Sequence, residues 1–206
     1  MLLKILICLG MGYCFGCFST AYVIGRANNI DIRQYGSGNA GTTNALRTLG
    51  FKAGLLTFLG DAIKAIIPIL LVYLVLYTNE PNVKLLALYA GLGVVLGHNF
   101  PFWLRFKGGK GIAATAGVML AFDLRLGLTA CAVFCLIVLI TRYVSLGSLL
   151  ISLLFPIWVL VLYTGNIHML IVSGIFTISA FIKHQSNLKR LINGTENKLG
   201  QKVKVK

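Results

Sequence analysis

Acidic residues are scarce: five Asp and Glu stand against 19 Lys and Arg in 206 residues. Asp31, Asp61, Glu80, Asp123 and Glu196 are far apart in the chain. That excludes a paired-carboxylate hydrolase and an Asp/Glu cage for a divalent cation. Charge of either sign is also low, at 12%, while 57% of residues are hydrophobic. Soluble domains carry about 25% charged residues, so the composition is that of an integral membrane protein. The net charge of +14 would point to nucleic acid in a soluble chain. Here the basic residues fall in gaps between apolar runs, where a bilayer accounts for them, and no nucleic-acid partner is expected. Cys8, Cys14, Cys17, Cys131 and Cys135 all lie inside apolar runs. Cys14-Phe-Gly-Cys17 has redox spacing but no βαβ context, so these are read as small apolar residues in helices. A Walker A loop is missing as well. Leu104 stands where its first glycine belongs, and Gly111 follows Lys110 where a hydroxyl would hold Mg²⁺. No metal and no cofactor are expected.

Seven apolar runs are present: Leu2–Ile24, Ala53–Tyr77, Leu85–Leu104, Ile112–Phe122, Leu126–Thr141, Val144–Tyr163 and Ile167–Ile182. The first, second, third and sixth are long enough for a core of ~30 Å, and the others must recruit flanking residues. Leu2–Ile24 is expected to be a span rather than a leader. The alternate gaps 25–52, 105–111, 141–143 and 183–206 hold 15 of the 19 basic residues. The predicted fold is therefore an all-α integral membrane protein with seven transmembrane helices, N-terminus outside and C-terminus cytoplasmic. One helix over 112–140 would bury Asp123 and Arg125 near mid-membrane, which disfavours it. The chain reads as one membrane-embedded domain, 1–206, ending in a basic cytoplasmic tail, 183–206, whose Lys-x-Lys-x-Lys end is solvated or bound to lipid headgroups. Gly12-x-x-x-Gly16 and Gly93-x-x-x-Gly97 mark close helix contacts.

The chemistry gathers in the basic gaps. Arg105-Phe-Lys-Gly-Gly-Lys-Gly-Ile-Ala113 puts three glycines and two lysines at a helix start, an arrangement suited to phosphate. Tyr35-Gly-Ser-Gly-Asn-Ala-Gly-Thr-Thr-Asn-Ala-Leu-Arg47 collects hydrogen-bonding side chains on a flexible backbone, with Asn44 and Arg47 on one helical face. Arg142 to Ser145 and His184 to Asn187 add further anion-binding groups. Asp61 and Lys64 are spaced to pair within the second span. His98, beside Pro101, is read as bonding a freed carbonyl, and His168 as structural. A strongly basic surface of this kind suits more than one phosphate group and a donor that is already activated.

Taken together, these stretches resemble the bacterial acyl-phosphate-dependent glycerol-3-phosphate acyltransferase (PlsY) family over essentially the whole chain. Ser37 to Arg47 is similar to its first motif, Gly97–Pro101 with Phe106–Gly111 to its second, and His184-x-x-Asn187 with Arg190, Leu191, Gly194 and Glu196 to its third. Ala114 and Ala65 depart from the usual Thr and Gly. The resemblance implies seven spans in the bacterial cytoplasmic membrane and an active site facing the cytoplasm. It also implies acyl transfer from acyl phosphate to the 1-hydroxyl of sn-glycerol 3-phosphate, with a soluble enzyme supplying the acyl phosphate. None of the three histidines has Asp five residues on, so the acyl-CoA-type motif is absent. Catalytic roles are expected for Ser37, Asn39, Lys110 and His184. Binding roles are expected for Thr43, Asn44, Arg47, Lys107, Gly108, Gly109, Gly111, Arg142, Ser145 and Asn187. The expected proton acceptor is His184 or, preferred, a substrate phosphate with its second pKa of about 6.

Overall fold

A computed structural model describes residues 1–201, and every regular element among them is helical. The final lysines of the tail lie outside the described residues. The first apolar run is two helices, α1 (Leu2–Cys17) and α2 (Thr20–Ala27), separated by extended backbone at Phe18 and Ser19. The two carbonyls freed there are capped from afar: Trp103 Nε1 donates to Cys17 O at 2.8 Å and Lys64 Nζ to Phe18 O at 2.5 Å. The expected span over Leu2–Ile24 thus contains a break, while Leu2–Ala27 remains long and apolar enough to cross a bilayer.

The innermost helix is α5 (Val83–Asn99), which packs along α1. The two glycine motifs face one another. A Cβ on Gly12 or Gly16 would run into the Ala90 or Val94 carbonyl, and one on Gly93 or Gly97 into the Leu9 or Tyr13 carbonyl. Backbones this close gain dispersion along their length, which in lipid replaces the hydrophobic drive between helices. A short helix, α3 (Thr42–Leu49), precedes α4 (Phe51–Leu71), and one wide turn prolongs α4 through Leu76. Against α4 lies α6 (Ile112–Phe122), where a Cβ on Gly117 would meet the Ala62 carbonyl.

Asp123 then breaks the chain and starts α7 (Leu124–Thr141). Its carboxylate accepts from Arg125 N–H at 2.9 Å, Trp158 Nε1 at 3.2 Å and Tyr163 OH at 3.0 Å. Residues 112–140 are thus two helices, as the position of Asp123 predicts. The bundle is completed by α8 (Val144–Leu162), α9 (Ile167–Lys183) and α10 (Gln185–Ile192), the last bent 66° from α9. Phe155 sits fully buried between Phe122 and Phe176, with ring centroids 5.9 and 5.1 Å away. The outward faces are apolar too, Leu139 and Ile140 being 79% and 71% exposed, the inverse of a soluble bundle.

By length and composition five helices can cross a bilayer: Leu2–Ala27, Phe51–Leu76, Val83–Leu104, Leu124–Thr141 and Val144–Leu162. The bent pair α9–α10 makes a sixth when counted as one span, and α6 is a shorter apolar helix.

Candidate active site

At one end of the bundle the loops before α3 and before α6 meet the C-terminal segment around a cavity of about 640 Å³. Its polar end is lined by Ser37, Asn39, Thr42, Thr43, Asn44, Arg47, Lys110, Ser145, His184, Asn187, Arg190 and Glu196. Its other end runs between helices, against Phe58, Ala116, Ala130, Phe134 and Ile151.

The first loop is shaped by Asn44. Its amide donates to the Ile32 and Tyr35 carbonyls at 3.0 Å each and accepts from Ser37 N–H at 2.8 Å. The Asn44 side chain, expected to bind substrate, is thus engaged in holding the loop. Gly36 carries φ +59°, and a Cβ there would strike the Asn44 amide. Two polar atoms of α3, Thr42 Oγ1 and Arg47 Nε, are buried without a partner. Among the described residues Arg47 otherwise reaches the Asn197 carbonyl alone, at 3.3 Å. An unmatched buried guanidinium nitrogen at a cavity wall is costly unless a ligand completes it.

The glycine turn works differently from the sequence expectation. Gly108 and Gly109 donate their N–H groups to the Asn99 and His98 carbonyls, at 3.3 and 3.0 Å, closing the end of α5. Those two amides are not available to a ligand. The N–H groups of Lys110, Gly111, Ile112 and Ala113 find no acceptor among the described residues, and all four residues line the cavity. Gly111 holds φ +82° as it starts α6. The amides left free to meet an anion therefore lie two residues further along, at the positive end of that helix.

Lys110 Nζ donates to Asn187 Oδ1, and Asn187 Nδ2 to Glu196 Oε1 at 2.7 Å. The same carboxylate takes Ser145 Oγ at 3.0 Å and Arg190 Nε at 2.7 Å. Burial, helped by Arg190 and Arg47, pulls the Lys110 ammonium down to about 8 against the opposing pull of Glu196. Burial, then Lys110, pulls His184 down to about 4. Its Nδ1 lies 2.8 Å from the Ala180 carbonyl, which can only accept. The proton is therefore on Nδ1, and Nε2 is the basic nitrogen.

The glycerol-3-phosphate acyltransferase family model matches residues 6–194. The chain belongs to that family. It is 43% identical over 198 residues to the glycerol-3-phosphate acyltransferase of Thermoanaerobacter sp. (strain X514), covering 95% of this chain and 96% of that one. With the enzyme of Clostridioides difficile (strain 630) the identity is 44% over 193 residues, covering 93% and 94%. Crystal structures of PlsY (YgiH), an integral membrane glycerol 3-phosphate acyltransferase, superpose over 95% of this chain. The glycerol 3-phosphate form gives TM-score 0.86 at 32% identity and 96% coverage of that chain. The lysophosphatidic acid form gives 0.83 at 31% and 95%.

In this acyltransferase most of the predicted residues meet at the cavity, but four stand apart, Gly109 being buried with its N–H on the His98 carbonyl. Lys107 is exposed and, with Gly108, lines a separate shallow recess beside Arg33 and Arg105. Arg142 is exposed and clamps the C-terminal segment, donating from Nε and Nη2 to the Leu199 carbonyl at 3.2 and 2.8 Å. Thr42, Asp61, His98, Arg190 and Glu196 also line the cavity though none was a predicted site residue, and Lys64 is buried beside Asp61 and His98. Glu196 was legible as the lone carboxylate in a basic segment. His98 does not bond a freed carbonyl; its imidazole faces Lys64, and the glycine turn satisfies the carbonyls. His168 Nε2 pairs with Tyr89 OH at 2.6 Å, a structural contact.

Proposed function

We propose that the chain transfers an acyl group from acyl phosphate to the 1-hydroxyl of sn-glycerol 3-phosphate, giving 1-acylglycerol 3-phosphate and phosphate. The supporting observation is one continuous cavity with a cationic, amide-lined end and an apolar end between helices. A polar phosphate ester and a lipid chain need both ends at once. The acyl chain lies along Phe58, Ala116 and Phe134, and its phosphate rests on Lys110 and the Lys110–Ala113 amides. Arg47 and Thr42 hold the phosphate of glycerol 3-phosphate, with Ser37, Asn39 and Thr43 placing the glycerol. The 1-hydroxyl oxygen bonds to the acyl carbon. The acyl–phosphate C–O bond breaks, its electron pair leaves on phosphate, and the hydroxyl proton passes to a substrate phosphate. His184, uncharged at neutral pH, serves as a hydrogen-bond acceptor that orients the hydroxyl. No metal or cofactor takes part.

The chain crosses the bacterial cytoplasmic membrane seven times as a single domain, α6 included, with the N-terminus outside and the active site and C-terminus in the cytoplasm. A soluble cytoplasmic enzyme supplies the acyl phosphate. Contacts support this pairing of ends. Lys4 pairs with Glu80, and Lys84 approaches the Tyr163 hydroxyl that bonds Asp123, so the segments expected outside share one end. The site residues from all four basic gaps share the other. The test is purified protein in detergent with chelator, given acyl phosphate and glycerol 3-phosphate. Lysophosphatidate and phosphate should appear in equal amounts. Product formed only from acyl-CoA, or only on adding Mg²⁺, overturns the donor or the metal-free reading.

A further inference from the structure

Beneath the glycine turn lies a buried cluster that the reaction as written does not use. Lys64 Nζ has three acceptors: Phe18 O at 2.5 Å, Asp61 Oδ1 at 2.9 Å and His98 Nδ1 at 2.9 Å. An ammonium has three N–H bonds and no lone pair. Three acceptors around it fix all three protons outward, so His98 Nδ1 receives a hydrogen bond and carries no proton. Asp61 lies beside the lysine and is 1% exposed, and the attraction between the two charges offsets the cost of burying them. Thr20 Oγ1 donates to the same oxygen, Asp61 Oδ1, at 3.1 Å.

The consequence falls on the far nitrogen of the ring. A neutral imidazole without a proton on Nδ1 carries it on Nε2, where it can only donate. His98 lines the cavity, and its Nδ1 alone of the two ring nitrogens is engaged in a hydrogen bond among the described residues. It lies against the turn that seats the anion: a Cβ on Gly109 would overlap Nε2. The two cavity histidines are thus locked in opposite tautomers. His184 is protonated on Nδ1 by the Ala180 carbonyl, and His98 on Nε2 through Lys64.

We propose that His98 is a further catalytic residue, donating its Nε2–H to an anionic oxygen in the cavity, with Lys64 and Asp61 as positioning residues that hold the donating tautomer. This rests on the acyl-transfer reading above. Two oxygens have the right chemistry: the acyl carbonyl oxygen, which takes the C=O electron pair when the hydroxyl attacks, and a phosphate oxygen. No proton leaves His98 in either case. Removing a donor from an oxyanion site lowers kcat about 10²–10³-fold.

The test has a readout independent of activity. In protein labelled with ¹⁵N-histidine, the ring nitrogen shifts should show Nε2–H for His98 and Nδ1–H for His184, and Lys64→Met should abolish the preference at His98. Kinetics in parallel should show His98→Leu losing about 10²–10³-fold. His98→Gln, which keeps an amide N–H near Nε2 but cannot act as a base, should recover at least tenfold over Leu with the pH profile of the unaltered enzyme. A loss confined to kcat identifies the carbonyl oxygen as the acceptor, and a raised KM for either substrate identifies that substrate's phosphate. Nδ1–H at His98, or a Gln variant no better than Leu with one pH limb gone, overturns the proposal and makes the residue a base or a brace. If the unaltered protein shows the expected tautomers but no acyl transfer, the functional reading fails and the assignment of the proton stands.

Discussion

At the scale of single residues the two cations proposed to seat phosphate, Arg47 and Lys110, are distinguishable. Arg47 stays charged at every accessible pH, whereas Lys110 sits at about 8 because it is buried among cations. As pH rises through about 8, Lys110 becomes an amine and loses its hold on an anion. The rate should therefore fall on the alkaline side, and Lys110→Arg should keep part of the rate while removing that limb. An unchanged alkaline limb in Lys110→Arg rules Lys110 out as its source. Loss of one charge-assisted hydrogen bond costs ~1.5–3 kcal/mol, roughly ten- to more than a hundredfold in kcat/KM. Arg47→Ala should place that loss mainly in the KM for glycerol 3-phosphate. Lys110→Ala should place it mainly in kcat, since its bond strengthens as phosphate departs. His184, at about 4, is neutral through the working range. His184→Gln should thus slow the reaction while leaving the acidic limb, set by a substrate phosphate near pKa ~6, in place. The residue types of the site were legible because loops rich in glycine, amide and cation are rare in a chain this apolar. The engagements of those residues were not. Asn44, Gly108, Gly109 and Arg142 look like ligand groups by type, and only three-dimensional neighbours show their hydrogen bonds directed to backbone.

At the scale of elements, periodicity and run length located all seven apolar segments but not their breaks. The interruption at Phe18 and Ser19 depends on Lys64 and Trp103, 46 and 86 residues away, and no local signal encodes such caps. The 66° bend between α9 and α10 at His184 is similar, since no proline or glycine marks it. The glycine pairs were legible as close contacts, though not as one another's partners. Their tightness is testable against internal controls. Gly16→Ala pushes a methyl into the Val94 carbonyl, whereas Gly10 and Gly174 have nothing within 4 Å of the same added atom. Overpacking of this kind costs ~1–3 kcal/mol, while Gly→Ala in an unobstructed helix gains up to about 1 kcal/mol. Thermal unfolding in detergent should place Gly16→Ala several degrees below the parent, and Gly10→Ala and Gly174→Ala at or slightly above it. Equal melting of all three variants would mean that α1 and α5 do not meet through these glycines.

For the whole molecule, charge and contact divide the chain the same way by independent routes. Fifteen of 19 basic residues fall in four alternate gaps of the sequence. In the fold those gaps converge: Arg47 reaches Asn197, Arg142 reaches Leu199 and Lys110 reaches Asn187. The opposite end holds Lys4 with Glu80, and Asp123 with Tyr163. The proposed placement of the first and last described segments at opposite ends requires an odd number of traverses, and α6 would supply the one that length alone does not. Eleven residues rise ~16 Å, well short of ~30 Å, so α6 relies on its neighbours and on the polar cavity at its start. A reporter for sidedness must avoid paired positions, which disfavours Glu80. Asn79 is exposed beside it, and Lys189 is exposed on α10. In a background lacking the five native cysteines, all of which are free, Asn79→Cys should react with an impermeant thiol reagent applied to intact cells. Lys189→Cys should react only after the membrane is opened. That expectation follows from the excess of Lys and Arg in the four gaps, which the positive-inside rule assigns to the cytoplasm. The reverse pattern would invert the protein and put the acyl-transfer cavity outside the cell, away from any cytoplasmic source of acyl phosphate. Labelling of both from the same side would make the traverse count even, and α6 would then enter and leave the bilayer on one face.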